Sequence, residues 1–328
     1  MNKKKIAVLL LSLTIILGFI VIIVEIAPHA KANTIYVPTD YTTIQAAIDA
    51  ADPGDTVYVY NGTYYENVNV YKTINLTGEN RNTTIIDGGG WNTVEITADW
   101  VNITGFTVTN GDEGIYFESS SNNIIADNNV ISNDHQGIFL TINSNYNTIA
   151  DNTASNNSDS GIYISFSNYN TIINNIASNN RYGIQFHDSS SNTLVNNQMI
   201  GNGIHIWGPF LNGWNTHNID TSNTVNGKPV YYWKNQNGGT IPSGAGQVIL
   251  ANCQNILIEN QDVSGGSVGI ELGFSNNNNI VNNTASSNNM YGIHLCFSDF
   301  NTLTINNASN NGANGFYFYC SGNNILTN

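Results

Sequence analysis

Apolar residues alternate with outward-pointing ones in short bursts along this chain, and the bursts return at a steady interval. Ile115 and Phe117, Ile138 and Leu140, Ile162 and Ile164, and Ile184 and Phe186 flank Tyr116, Phe139, Tyr163 and Gln185. Alternation with period two predicts strands with one face in a core. A Gly-Ile or Gly-Phe step opens each burst, at Gly114, Gly137, Gly161, Gly183, Gly203 and then Gly269, Gly292 and Gly315. The intervals are 23, 24, 22 and 20 residues, then 23 and 23 after a gap. A second marker, Asn followed by Ile or Thr, keeps time at Asn123, Asn147, Asn170, Asn192, Asn279, Asn301 and Asn324. Two more short strands fit in each period, near Asn147-Thr148-Ile149-Ala150 and Asn152-Thr153-Ala154, with Asn, Ser and Gly turns between them. No helical stretch separates them, which excludes the helical solenoids. The pattern predicts an all-β, single-stranded parallel β-helix of three sheets and about ten or more coils, each about 4.8 Å above the last. Asn suits such a wall, because it tolerates left-handed turns and stacked amides can bond from coil to coil.

The periodicity also sets the domain organisation. Lys3, Lys4 and Lys5 precede an uncharged apolar run of 19 residues from Ile6 to Val24, and Ala30-Lys31-Ala32 is a small-x-small cleavage motif. Residues 1–32 therefore read as a signal peptide, with retention as an N-terminal membrane anchor the alternative. Either way the body, residues 33–328, lies outside the cytoplasm, secreted or at the cell surface. Thr42 with Gln45 reads as a capping box opening a short helix that stops at Pro53-Gly54, so 33–56 form an N-terminal cap. Between residues 207 and 247 the timing breaks, and this irregular excursion holds Trp207, Phe210, Trp214, Tyr231, Tyr232 and Trp233. At the other end Asn324-Ile325-Leu326 begins a new coil without a capping element. A partner or a further segment is expected to cover that end.

Removal of the first 32 residues leaves five Lys/Arg against 22 acids, a net charge of about −17. Such a surface repels nucleic acid and anionic polysaccharide and suits cations. Cys296 and Cys320 lie 24 residues apart, about one coil, which leaves open a disulfide or two stacked thiols. Cys253 is the third cysteine. Asn-x-Ser/Thr sequons at Asn61, Asn75, Asn82, Asn102, Asn156, Asn282 and Asn307 permit glycosylation.

Stacking turns phase into neighbourhood. Two residues before the repeat Gly, one column reads Asp112, His135, Asp159, Arg181; two residues after it, another reads Tyr116, Phe139, Tyr163, Gln185, His205. Aromatic faces beside carboxylates, an imidazole and a guanidinium suit sugar binding, and Trp214 and Trp233 of the excursion are further stacking candidates. Were the wall catalytic, Asp112, His135, Asp159 and Arg181 would carry the chemistry of a glycoside hydrolase or polysaccharide lyase. Asp127 and Asp151 form another column, where a calcium ion is the candidate bridge between stacked carboxylates.

The recurring Asn-Asn-x-Ala-Ser-Asn…Gly-Ile pattern, as in Asn174–Asn179 with Gly183-Ile184, resembles the right-handed parallel β-helix proteins of the pectin-lyase-like superfold. So does the opening segment Thr43-Ile44-Gln45-Ala46-Ala47-Ile48 through Pro53-Gly54-Asp55. Closest are the NosD-like, carbohydrate-associated repeat proteins of archaeal cell surfaces. The resemblance implies right-handedness, and a polysaccharide or cell-envelope glycan as partner. Polygalacturonase-like members carry Gly-His-Gly and Arg-x-Lys motifs and pectate-lyase-like sites a basic residue beside calcium; the two motifs are missing here, and Arg181 is the one basic residue of the regular repeats. The expectation is a non-catalytic carbohydrate-binding, envelope or adhesion scaffold, with a polysaccharide hydrolase or lyase as the alternative. The NosD likeness adds copper-site maturation as a minor one, for which the sequence offers Met199, Met290 and the adjacent-coil pair His187 and His205.

Overall fold

The computed structural model describes residues 32–327. The expected secretory segment, all but its last residue, lies outside the described residues. Among these, no helix is long and apolar enough to cross a membrane. The chain winds into a right-handed parallel β-helix of about 13 turns. Among the described residues four hydrogen-bonded sheets run along it: nine strands from Thr34–Val37 to Asn218–Ile219, seven from Val68–Val70 to Ile204–Trp207, thirteen from Gly62–Tyr65 to Asn314–Tyr319, and five from Asn237–Thr240 to Ile325–Thr327.

The period of the sequence appears as vertical register. Ile115 lies opposite Ile138, which lies opposite Ile162, then Ile184, then Ile204. All five are fully buried, as are Phe117, Leu140, Ile164, Phe186 and Ile206 in the neighbouring column. Burial of each such side chain contributes about 1.5–3 kcal/mol. The corners are held by amides. Asn123 N donates to Asn147 Oδ1 at 2.8 Å, Asn147 N to Asn170 Oδ1 at 2.8 Å, and Asn170 N to Asn192 Oδ1 at 2.8 Å. Parallel ladders run through Asn128, Asn152, Asn175, Asn197 and Asn223, and through Asn133, Asn157 and Asn180. A buried backbone N–H needs an acceptor, and the amide one coil on supplies it. Other Asn and Asp residues of the turns take positive φ, among them Asp127 (55°), Asp151 (56°), Asn174 (58°) and Asn196 (54°).

The capping helix spans Ile44–Ala50 and buries Ile44, Ala47 and Ile48 over the open end of the core. Its cap lies one residue later than the sequence suggests. Thr43 Oγ1 accepts from Ala46 N at 3.2 Å, while the Glu66 carboxylate takes Ile44 N and Gln45 N at 2.9 and 3.0 Å. A distant carboxylate thus does what the capping box was expected to do.

The break in timing has a different cause from a loop excursion. After a short helix at Asn212–Asn215, strand Thr224–Val225 pairs antiparallel with the start of strand Lys228–Lys234, which then pairs parallel with Gln247–Ala251. The hairpin restarts the solenoid as a second segment. Val248 and Leu250 point into the second segment's own core, whereas Ile249 and Ala251 pack with the core of the first. Strands Gln247–Ala251 and Val268–Gly273 are therefore buried on both faces, and their apolar sequence is broken only by Gln247 and Glu271.

Candidate functional site

The outward column predicted from phase exists. Tyr116, Phe139, Tyr163, Gln185 and His205 are successive register partners, and Glu95 and Asn69 extend the column below. Phe139 lies stacked on Tyr163 with centroids 4.8 Å apart and meets the ring of Tyr116 edge-on at 5.5 Å. All three rings are half-buried: stacking turns the faces of Phe139 toward its neighbours along the column, and the part left to solvent is the outer rim of the ladder. Gln185 ends this stretch, its Oε1 accepting from Ser160 Oγ at 2.7 Å.

Beside the aromatic column the turn residues also assemble. His135 Nδ1 lies 2.6 Å from Asp112 Oδ1, Arg181 Nη1 3.6 Å from Asp159 Oδ1, and Gln136 Nε2 donates to Asp159 Oδ2 at 3.1 Å. Sequence reading missed the centre of the group, Glu113. One ligand-type atom from each of Asp112, Glu113 and His135 lies within 4.8 Å of the others. Burial pushes the Glu113 carboxyl up to about 7, helped by Asp112 and opposed by the Gln136 N–H at 2.9 Å and by His135. The signal available in the sequence was the adjacent pair of acids Asp112-Glu113 just before the repeat Gly114. A carboxyl group poised near neutrality next to a His–Asp pair can give or take a proton.

Other expected site residues fall elsewhere. Trp214 is fully buried: its Nε1 donates to Gly208 O at 2.9 Å and its ring covers Gly273, so it is a packing residue and offers no face to a sugar. His205 is 4% exposed, covered where the second segment docks. Trp233 is half-buried against the second segment's core, apart from the aromatic column. At the Asp127–Asp151 column Arg81 intervenes, with Nη1 2.9 Å from Asp127 Oδ1 and 3.2 Å from Asp151 O, so a guanidinium supplies countercharge at the position considered for calcium. Cys253, Cys296 and Cys320 are free thiols; register sets Cys296 opposite Tyr319, one residue short of Cys320. His187 is not joined to His205 but lies 3.6 Å from Asp188.

Where the two segments meet, their outer columns touch. In the second segment the column reads Ile249, Glu271, His294, Tyr317. Glu271 Oε1 lies 2.7 Å from His205 Nδ1 and 3.0 Å from His294 Nδ1, and Oε2 accepts from Ile206 N at 3.2 Å. Burial would raise the Glu271 carboxyl, but the two imidazoles hold it below its ordinary value. Rings of Tyr182, Tyr291, Tyr317 and Trp207 enclose the group.

Fold and wall together define a right-handed parallel β-helix protein with an aromatic and acidic outer face. The family model described as "Periplasmic copper-binding protein (NosD)" matches residues 48–237 and 200–328, and the chain belongs to that family. The catalytic domain of a GH87 α-1,3-glucanase in complex with nigerose shares 15% identity at TM-score 0.50, covering 90% of this chain and 68% of its own. The A-module of the Azotobacter vinelandii mannuronan C-5 epimerase AlgE6 shares 17% at TM-score 0.48, covering 87% and 94%. Pectate lyase Pel9A shares 19% at TM-score 0.47, covering 81% and 73%. Similarity of this degree concerns fold alone. No curated protein sequence matches the chain.

The family description raises copper. Among the described residues, thioether ligands for Cu(I) do not gather: Met199 is buried in the core and Met290 Sδ accepts from Arg181 Nε at 2.8 Å. The His205–Glu271–His294 donor set, with two imidazoles and a carboxylate, fits a divalent ion such as Cu(II) or Zn(II).

Proposed function

We propose that the protein is an extracytoplasmic polysaccharide-binding β-helix, retaining a neutral glycan along the outer column Tyr116–Phe139–Tyr163. The single observation that carries this reading is the continuous ladder of half-buried rings, spaced 4.8 and 5.5 Å, flanked by the Asp112–His135–Asp159 edge. The C–H groups of pyranose rings pack along the apolar rim of such a ladder while carboxylates and the imidazole accept from and donate to hydroxyls. The net acidic surface favours a neutral over an anionic chain. The description of the family as periplasmic supports a location outside the cytoplasm, where envelope glycans lie.

Affinity electrophoresis through gels containing neutral or uronic-acid polysaccharides tests this. Wild type is retarded by a neutral glycan, and Phe139→Ala weakens retention about 10-fold, the loss of the central rung of the aromatic ladder. Because Phe139 is half-buried between Tyr116 and Tyr163, its removal should also cost about 1–2 kcal/mol, so retention is compared below the melting temperature of both proteins with the β-sheet circular dichroism signal intact. Equal retention of wild type and Phe139→Ala would remove the aromatic column from any binding role.

One observation favours a second reading, in which the wall is catalytic. Glu113, raised to about 7, holds a proton near neutrality that a general acid could deliver to a glycosidic oxygen, with Asp112 or Asp159 as partner carboxylate. On this reading Glu113→Gln abolishes turnover of a bound glycan while Phe139→Ala raises KM. Absence of turnover on neutral and acidic polysaccharides leaves a binding protein.

Glu113 also yields a prediction independent of function. The folded state binds the Glu113 proton more tightly than the unfolded state, so its contribution to stability is lost as pH rises from about 4.5 to about 7. Glu113→Gln should therefore gain stability relative to wild type at pH 8 and not at pH 4. Parallel urea curves for the two proteins across that range would contradict the assignment.

A further inference from the structure

We infer that a divalent transition-metal ion of the imidazole-preferring class, Cu(II) or Zn(II), binds between the two solenoid segments on His205, Glu271 and His294. Three observations carry it. The three side chains bring one ligand atom each within 4.8 Å of one another, although they come from two different sheets. All are buried, with side-chain exposure of 5%, 0% and 0%, and the hydrogen bonds that Glu271 makes come from the two imidazoles and Ile206 N, none of them from Lys or Arg. A carboxylate removed from water needs a countercharge. Finally, both rings turn Nδ1 onto the same oxygen, Glu271 Oε1, at 2.7 and 3.0 Å, so two nitrogens and an oxygen converge on one point, while the buried His294 Nε2 has no hydrogen-bond partner that would hold the ring for another purpose.

Two imidazoles and a carboxylate form a ligand set suited to Cu(II) or Zn(II), and the surrounding aromatic rings exclude water from it. Around it, Gly203 N donates to Ser267 Oγ at 2.7 Å and Ile204 N to Gln247 Oε1 at 2.9 Å, so the second segment already satisfies the edge of the strand carrying His205. The ion would thus clamp a preformed junction, and burial predicts slow exchange with chelator.

The test is metal content. Full-length protein, purified from medium supplemented in turn with copper and zinc and dialysed against EDTA, is analysed by mass spectrometry for metals. One equivalent per chain is expected, with the Cu(II) form showing hyperfine coupling to two imidazole nitrogens in its electron paramagnetic resonance spectrum. Glu271→Gln and His294→Gln should each weaken binding about 100-fold or more and remove a metal-dependent rise in Tm of about 5 °C. Should the variants fail to fold, the wild-type spectrum decides alone: coupling to fewer than two nitrogens overturns the site. Absence of metal from wild type also overturns it. So does metal that persists in both variants but disappears in His135→Ala, which would place the ion at Asp112, Glu113 and His135.

Discussion

Asn175→Ala is expected to lower unfolding free energy by about 3–4 kcal/mol, although it removes only an amide. Asn175 Oδ1 accepts from Asn152 N at 3.0 Å and from Asn152 Nδ2 at 3.2 Å, and its own Nδ2 donates to Ile149 O at 2.8 Å and Asn197 Oδ1 at 3.0 Å. Alanine leaves the buried N–H of Asn152 without its acceptor and the carbonyl of Ile149 without that donor. Each orphan costs about 1–3 kcal/mol. The neighbouring Asn174 gives the contrast. Its side chain is exposed, accepting from Asn196 Nδ2 at 2.8 Å, and its φ is 58°, so Asn174→Gly should change stability by about 0.5 kcal/mol or less. Urea denaturation of both variants checks the pair; comparable losses would mean that the ladder does not hold the corner.

Trp214→Ala is expected to cost about 3–5 kcal/mol, as for other large buried aromatics. Its ring seals the short helix Asn212–Asn215 onto the second segment, and Tyr232 Oη donates to its backbone carbonyl. Gly273→Ala should produce much of the same loss from the other side, because a Cβ there would come within 2.0 Å of the indole ring. Both variants should lose the blue-shifted component of tryptophan fluorescence while the β-sheet signal persists. A Trp214→Ala loss below about 1 kcal/mol would show that the junction does not depend on this plug.

The fold was legible because the forces that build it repeat. Ile115, Ile138, Ile162 and Ile184 recur in phase because each must land on the one below, and Asn147 and Asn170 recur because each accepts from the previous coil. For the same reason the column Tyr116–Phe139–Tyr163 could be read directly from spacing. What phase could not reveal is where the solenoid restarts. The hairpin at Val225–Lys228 turns the outer face of the second segment toward the first, which buries Trp214 and His205 and brings Glu271 and His294 to His205. His205, Glu271 and His294 each stand two residues after a repeat Gly and so share a phase, but phase does not show that the two outer faces meet across the restart, 66 positions apart for the His205–Glu271 pair. Likewise Arg81 reaches Asp127 across 46 positions. Glu113 was overlooked for a different reason: its neighbour Asp112 occupied the column, and burial, which raises its pKa, is a property of the folded wall.

The structure of the protein with a bound neutral oligosaccharide tests the central claim most directly. Sugar rings lying over Tyr116, Phe139 and Tyr163, with hydroxyls toward Asp112, His135 and Asp159, are the predicted result. An oligosaccharide seated instead in the polar groove of about 700 Å³ beside Arg181, Asn289 and Gly312, with the three rings uncovered, would contradict it.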